Sequence, residues 1–256
     1  MIEIAVSLAI IGFALVAIIG VLPIGMNVQQ ANREETIINQ DATVLMDAIR
    51  SGSQGLDDLT NYVYAITNWA TLCRPNGLPQ GLPTVYGYTY SGSTVNGTPG
   101  NFPITNGFRI VGLLSTPKYV FPSGKGVSGF VSNYVAAYVR SMSGPANEKF
   151  PQNNPSMQDF AFSYRMTSEV VPYWTNYYDP PWVQNNAMVI NNLSNNLHDV
   201  RLVFRWPLRS RGQLGLGGQS FRTLVGGQLL PTLEPGYPAR PEYSNYFFQP
   251  RTYKAP

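Results

Sequence analysis

From Ile4 to Met26 the chain carries no charged residue, and Ser7 is its one clearly polar side chain. Some twenty apolar residues in a helix, at about 1.5 Å of rise each, are enough to cross the hydrocarbon core of a bilayer. Past Asn27 the pattern turns periodic: Ile38, Ala42, Leu45 and Ile49 recur at steps of four, three and four, the spacing of one helix face. Arg33, Glu34, Glu35, Asp41 and Asp47 supply its polar side. One continuous helix over residues 2–50 would be roughly 70 Å long, with Ser51-Gly52-Ser53 as its stop signal. Asp57 or Asp58 can cap a second helix that carries Leu59, Val63, Ile66 and Ala70 at similar spacing.

Beyond Arg74 the period shortens. Residues 75–108 hold no charge and are rich in Gly, Pro, Ser and Thr. Tyr86, Tyr88 and Tyr90 alternate, which predicts one face of a strand. That stripe reads either as cross-strand aromatic packing or as a face for a subunit or a carbohydrate. Ser91-Gly92-Ser93-Thr94 and the sequon at Asn96 read as an exposed loop, with glycan attachment the alternative. Further strand-like runs are 108–114, 134–140, 160–171, 200–206 and 221–230, although 131–142 also reads as a helix. The runs 200–206 and 221–230 suggest a hairpin across the Gly-rich connection from Arg211 to Gly218. In the first of them Leu202, Phe204 and Trp206 face one way, and Arg201, Val203 and Arg205 the other. The whole predicts an α+β protein: a long N-terminal helix at 1–50, packed on an antiparallel head with long loops at 51–233. A Pro/Tyr-rich segment follows at 234–256, with five Pro and four Tyr, a content that excludes a regular helix or a central strand. It is expected to lie as an extended arm on its own head or on a neighbouring subunit, since Tyr246, Phe247, Phe248 and Tyr253 would otherwise be bare.

Composition narrows the chemistry. Charged residues make up 12% of the 256, about half the usual share of a soluble domain, and the net charge of +3 is too small to imply nucleic acid. Cys73 is the sole cysteine and His198 the sole histidine, which excludes an intrachain disulfide and leaves little room for a metal site or a His-based triad. Gly124-Lys125-Gly126-Val127-Ser128-Gly129 fits Gly-x-Gly-x-x-Gly, but without a βαβ unit it reads as a glycine turn. His198-Asp199 reads as a surface loop, as no Gly-x-Ser-x-Gly elbow accompanies it. Arg201, Arg205, Arg209, Arg211 and Arg222 form a basic cluster, expected as a solvated strand face or as partners of acids across a subunit interface. Tyr173, Trp174, Tyr177, Tyr178 and Trp182 around Asp179-Pro180-Pro181 read as loop packing, with sugar binding the alternative. No enzyme activity, cofactor or metal is expected.

The informative residue is Glu3. A signal peptide carries positive charge where this acid stands, and an ordinary single-pass anchor gains nothing from it. A carboxylate in an apolar helix is costly unless it finds a partner. Glu3-Ile4-Ala5-Val6-Ser7-Leu8-Ala9-Ile10-Ile11-Gly12 resembles the start of mature type IV pilins and type II secretion pseudopilins. In that family a Glu is followed nine residues later by Gly, within an Ala-Ile-Ile-Gly-like stretch. The resemblance covers roughly the first 50 residues. The family's Glu is normally the fifth mature residue, after an N-methylated Phe, so two residues of the type Phe-Thr are expected ahead of Met1. The family's helix-bending Pro would fall near Gly20, whereas here Pro23 comes three residues later, between Gly20 and Gly25.

The resemblance implies a subunit held in the bacterial inner membrane before assembly, polymerised by pilus assembly machinery into an extracellular, adhesive homopolymer. Glu3, Ile4, Leu8, Ile11, Gly12, Leu15, Ile18, Leu22 and Pro23 would be its assembly residues, with Glu3 pairing a neighbour's N-terminal amine. Tyr86, Tyr88, Tyr90, Tyr246, Phe247 and Phe248 are the candidate surface contacts. A minor pilin or pseudopilin is the alternative within the family. Outside it, the rival is a membrane-anchored carbohydrate- or surface-binding domain that never polymerises.

Overall fold

The computed structural model describes residues 2–52, 57–121, 129–143, 162–173, 187–209, 212–234, 236, 238 and 240–254. The chain divides into two compact units, Met1–Gln40 and Asp41–Pro256. Helix α1 is continuous from Ile2 to Ser51, so Gly20, Pro23 and Gly25 do not interrupt it. Gly52 ends it in the left-handed conformation (φ 61°), where a Cβ would come 2.5 Å from the Phe248 carbonyl oxygen. Within the second unit, Ala42, Leu45 and Ile49 are buried as their spacing predicts.

The head is built on a mostly antiparallel sheet. Its strands are β1 (Val63–Cys73), β2 (Thr84–Thr89), β3 (Phe102–Pro103), β4 (Tyr119–Val120), β5 (Phe130–Arg140), β6 (Ser163–Pro172), β7 (Leu197–Leu208) and β8 (Leu214–Gly226). The order across it is β3-β2-β1-β5-β6-β7-β8, with β4 also pairing β5 and only β2–β3 parallel. A second, two-stranded sheet joins β9 (Gln228–Leu233) to β10 (Ser244–Gln249). Helix α2 (Gly107–Leu114) and helix α3 (Ala187–Asn196) complete the described elements, with short 3-10 turns at Asp57–Asn61 and Pro241–Tyr243.

Three expectations are corrected. The second helix is absent: after the Asp57–Asn61 turn the chain enters β1, hydrogen-bonded to β2 on one side and β5 on the other. Tyr64, Ile66, Thr67, Trp69 and Thr71 make that run β-branched and aromatic, which suits a pleated surface better than a helix. Leu59, Val63 and Ile66 are buried all the same, and Ala70 is only half-buried, so three of the four apolar positions were right and the period wrong. Conversely, 108–114 is helix and not strand. Asn106 caps it by accepting the Arg109 N–H at 2.9 Å, and Gly112 admits Asn245 and Phe247 so closely that a Cβ there would meet them at 2.5 and 2.8 Å. Third, the run 221–230 is two strands in different sheets, separated at Gly227 (φ 114°).

Other expectations hold. Residues 131–140 lie in strand β5, which decides between its two readings. β7 and β8 form the hairpin, closed more tightly than expected, at Leu208–Leu214. Leu202, Phe204 and Trp206 are buried, while Arg201 and Arg205 are exposed. The C-terminal segment folds back on its own head: β10 pairs β9 from Ser244–Leu233 to Gln249–Gln228.

Candidate assembly helix and head surface

Over residues 2–20 the helix of the first unit leaves its apolar side chains bare. Its most apolar 18-residue stretch has a mean hydropathy of 2.8, and none of that stretch is buried. Ile4, Leu8, Ile11, Leu15 and Ile18 fall at steps of four, three, four and three on one face, and each is more than half exposed. Val6, Ile10, Phe13, Val16 and Ile19 are equally bare on the other sides, so the segment is apolar all round. Such a helix belongs in lipid or in a core supplied by other chains. Nothing lies within 4 Å of where a Cβ would stand on Gly12, Gly20 or Gly25. Glu3 is exposed in the first turn, and Ser7 Oγ donates to its backbone carbonyl at 2.8 Å. The side chains of Leu22 and Pro23 fall outside the described residues.

The second unit satisfies itself. At its start Asp41 is buried, and its carboxylate accepts four hydrogen bonds: from Met142 N (3.0 Å), Ser143 N (3.1 Å), Ser143 Oγ (2.7 Å) and the Tyr164 hydroxyl (3.0 Å). Burial raises its pKa, against these hydrogen bonds, and burial also lifts the Tyr164 phenol well above its ordinary value. Asp41 was legible only as one of the polar-face residues. Its place between Ile38 and Ala42, on the apolar stripe, was the signal that it turns inward. A second buried charge, unmarked in the sequence, is Arg109 on α2. It forms an ion pair with Glu234 and lies over the rings of Tyr88 and Tyr243 at 5.2 and 5.6 Å. Thr105 Oγ1 donates to the same carboxylate at 2.6 Å. The pair ties α2 to the chain leading into the C-terminal arm.

On the outer face of the sheet, Arg201 and Arg222 of the arginine cluster meet acids within the chain. Asp199 accepts from Arg222 Nε at 2.8 Å and from Arg201 Nε and Nη2 at 2.9 and 2.7 Å. Burial alone would raise its pKa, but the two guanidiniums outweigh it and hold the carboxyl below its ordinary value. Glu169 continues the row towards Lys118, while Arg211 lies outside the described residues. His198 is corrected. It sits in β7, buried and edge-on to Phe248 with centroids 5.3 Å apart, not in a surface loop, and burial pushes its pKa down to about 4.

The candidate contact aromatics divide. Tyr88, Phe247 and Phe248 are buried in the head and offer no surface. Tyr86 and Tyr88 flank Phe102, with centroids 6.0 and 5.5 Å away, so the stripe packs largely against its own chain. Tyr246 is half-buried, and Tyr90, 40% exposed just past the end of β2, is the most open of the six. Asn96 uses its amide to donate to the Tyr64 hydroxyl at 2.9 Å, and its sequon partner Thr98 is buried. Trp174, Tyr177, Tyr178 and Trp182, and residues 124–128 of the glycine motif, fall outside the described residues. An open depression of about 420 Å³ is lined by Asp47, Arg50, Ser51, Leu224, Val225, Gly226 and Pro250, and its Ser51 hydroxyl donates to the Ala48 carbonyl at 3.2 Å. Among the described residues no group of His, Cys, Asp and Glu could hold a metal ion. No protein-family model, no characterised protein and no solved structure matches the chain.

Proposed function

We propose that this chain is the structural subunit of an extracellular type IV pilus-like filament, polymerised through its N-terminal helix. The observation that carries the reading is the helix itself: more than twenty apolar residues, with an 18-residue stretch of which none is buried, marked by a single acid near their start. Held in a membrane, that surface is covered by lipid. Once extracted, it must be covered by the same helix of other copies. Burying roughly 20 apolar side chains at about 1.5 kcal/mol each is worth tens of kcal/mol before the cost of ordering is counted.

Glu3 supplies what apolar burial lacks, namely register. A carboxylate buried beside a neighbour's N-terminal amine adds little net stability, but a displaced neighbour leaves a buried charge unpaired, at a cost of about 3–5 kcal/mol. Only copies at the correct axial offset avoid that penalty. The head, complete in its own core, then forms the filament's outside.

The test is electron microscopy of material sheared from cells expressing the wild-type chain or Glu3→Ala. Thin filaments of this protein from the wild type, and few from the variant, support both assembly and the register role. Wild-type protein that stays in the membrane and enters no filament would leave a membrane-anchored binding domain in its place.

A further inference from the structure

The two edges of the large sheet are finished differently. At one edge β2 is short, β3 already covers two of its six residues, and β3 ends in Pro103, which has no N–H to offer. Pro99 also closes over Gly87, leaving no space for a Cβ. At the other edge β8 runs for 13 residues, and among the described residues no strand pairs with its outer side. Natural sheets shield such edges with Lys, Pro or charges. The sequence Leu-Gly-Leu-Gly-Gly-Gln-Ser-Phe-Arg-Thr-Leu-Val-Gly has no Pro, no Lys and no acid. Leu216 on this strand is 100% exposed and Leu224 46%.

We propose that β8 is a self-pairing edge: it adds, antiparallel, to β8 of a second copy about a two-fold axis through Ser220. The residue order on the strand's outer face supports that occupant and that register. Centred on Ser220, Leu216 stands opposite the second copy's Leu224, and Gly218 stands opposite its Arg222. The two leucine pairs bring apolar side chains together across the strands, and Arg222 stands opposite a glycine that is covered by Arg205 of its own chain. On the other face Gly217 meets Thr223, and Gly215 meets Val225, again small against β-branched. The charges are compatible as well. Arg222 is already paired with Asp199 of its own chain at 2.8 Å, away from the Arg205 guanidinium that lies over the facing Gly218. Moving the centre to Arg222 would set arginine on arginine, moving it to Phe221 would part the leucines, and moving it to Gln219 would set Leu216 against Arg222 while leaving Leu214 opposite Leu224. Being two-fold, the contact joins one pair of chains and does not itself propagate a filament. It therefore stands apart from the assembly reading of the helix.

The test is cysteine cross-linking of the full chain in detergent, with the buried Cys73 replaced (Cys73→Ala), or retained if that variant fails to fold. On oxidation Ser220→Cys should give disulfide-linked dimers at least about tenfold faster than Leu216→Cys or Leu224→Cys alone, since a docked pair raises the local thiol concentration only where the thiols face each other. Leu216→Cys mixed with Leu224→Cys should cross-link to one another. A monomeric Ser220→Cys, or a Leu216→Cys that dimerises alone as fast, would overturn the proposal.

Discussion

The helix and the head answer the same physical demand in opposite ways. In the head every large inward side chain of β6 and β7 has found its cover, and the buried charges Asp41, Arg109 and Glu234 have found their partners within the chain. In the apolar half of the helix neither has happened. Its described hydrophobic side chains are bare, and its one acid is left at the surface. The head is a folded object by itself, whereas the helix is a surface waiting for a second phase, whether lipid or other copies. On the proposed reading, assembly rests with residues 2–26 and stability with the head, which makes the two separable by substitution.

The largest effect is expected from a charge in the bare stripe. Leu15→Lys places an ammonium at the centre of the apolar run, at a cost of about 2.5–3.5 kcal/mol per chain for membrane insertion and a further penalty at every helix contact in a filament. Filament yield in sheared material should fall to background, while the head's thermal unfolding stays unchanged. Arg109→Ala reverses the pattern. Leaving Glu234 buried and unpaired should cost the head about 3–5 kcal/mol, read as a loss of denaturant midpoint. Replacing both partners with apolar residues should recover most of it.

His198 sharpens the contrast through pH. Its pKa is about 4 in the folded head against 6.5 for a free histidine, so between those values the unfolded chain binds the proton and the folded one does not. Stability from this group is complete above pH 6.5 and is lost as the pH falls towards 4, by about 3 kcal/mol in all. Chemical denaturation at pH 7 and pH 4.5 should show that slope in the wild type and lose most of it in His198→Phe. The same pH change should leave Leu15→Lys and wild type equally stable relative to one another.

What the sequence made legible follows from how local each signal was. The long helix was readable because an unbroken apolar run and a step-of-four-and-three stripe each specify it alone, and the β7–β8 hairpin because its alternation is strict. Residues 59–70 misled because Leu59, Val63 and Ile66 satisfy a helical period while the strand that contains two of them is fixed from outside, by β2 and β5. Residues 108–114 misled in the other direction: a short apolar run has no period of its own, and its helix is set by the Asn106 cap and by the packing of Asn245 and Phe247 over Gly112. The burial of Tyr88, Phe247 and Phe248 could not be read locally, since each is covered by segments far away in the chain, as the Tyr88 hydroxyl bound to the Glu242 carbonyl at 3.0 Å illustrates. The apolar run behind Glu3 was legible as a helix, and the ion pairs that hold the head were not legible at all.

The most direct measurement of the central claim, that the apolar half of the helix and not the head drives assembly, compares the full chain with one begun at Asn27. The account requires the shortened chain to be soluble without detergent, to unfold at the same temperature as the head of the full chain, and to form no filaments under conditions where the full chain does. Filaments of the same diameter from the shortened chain, or a full chain that remains monomeric once detergent is removed, would contradict it.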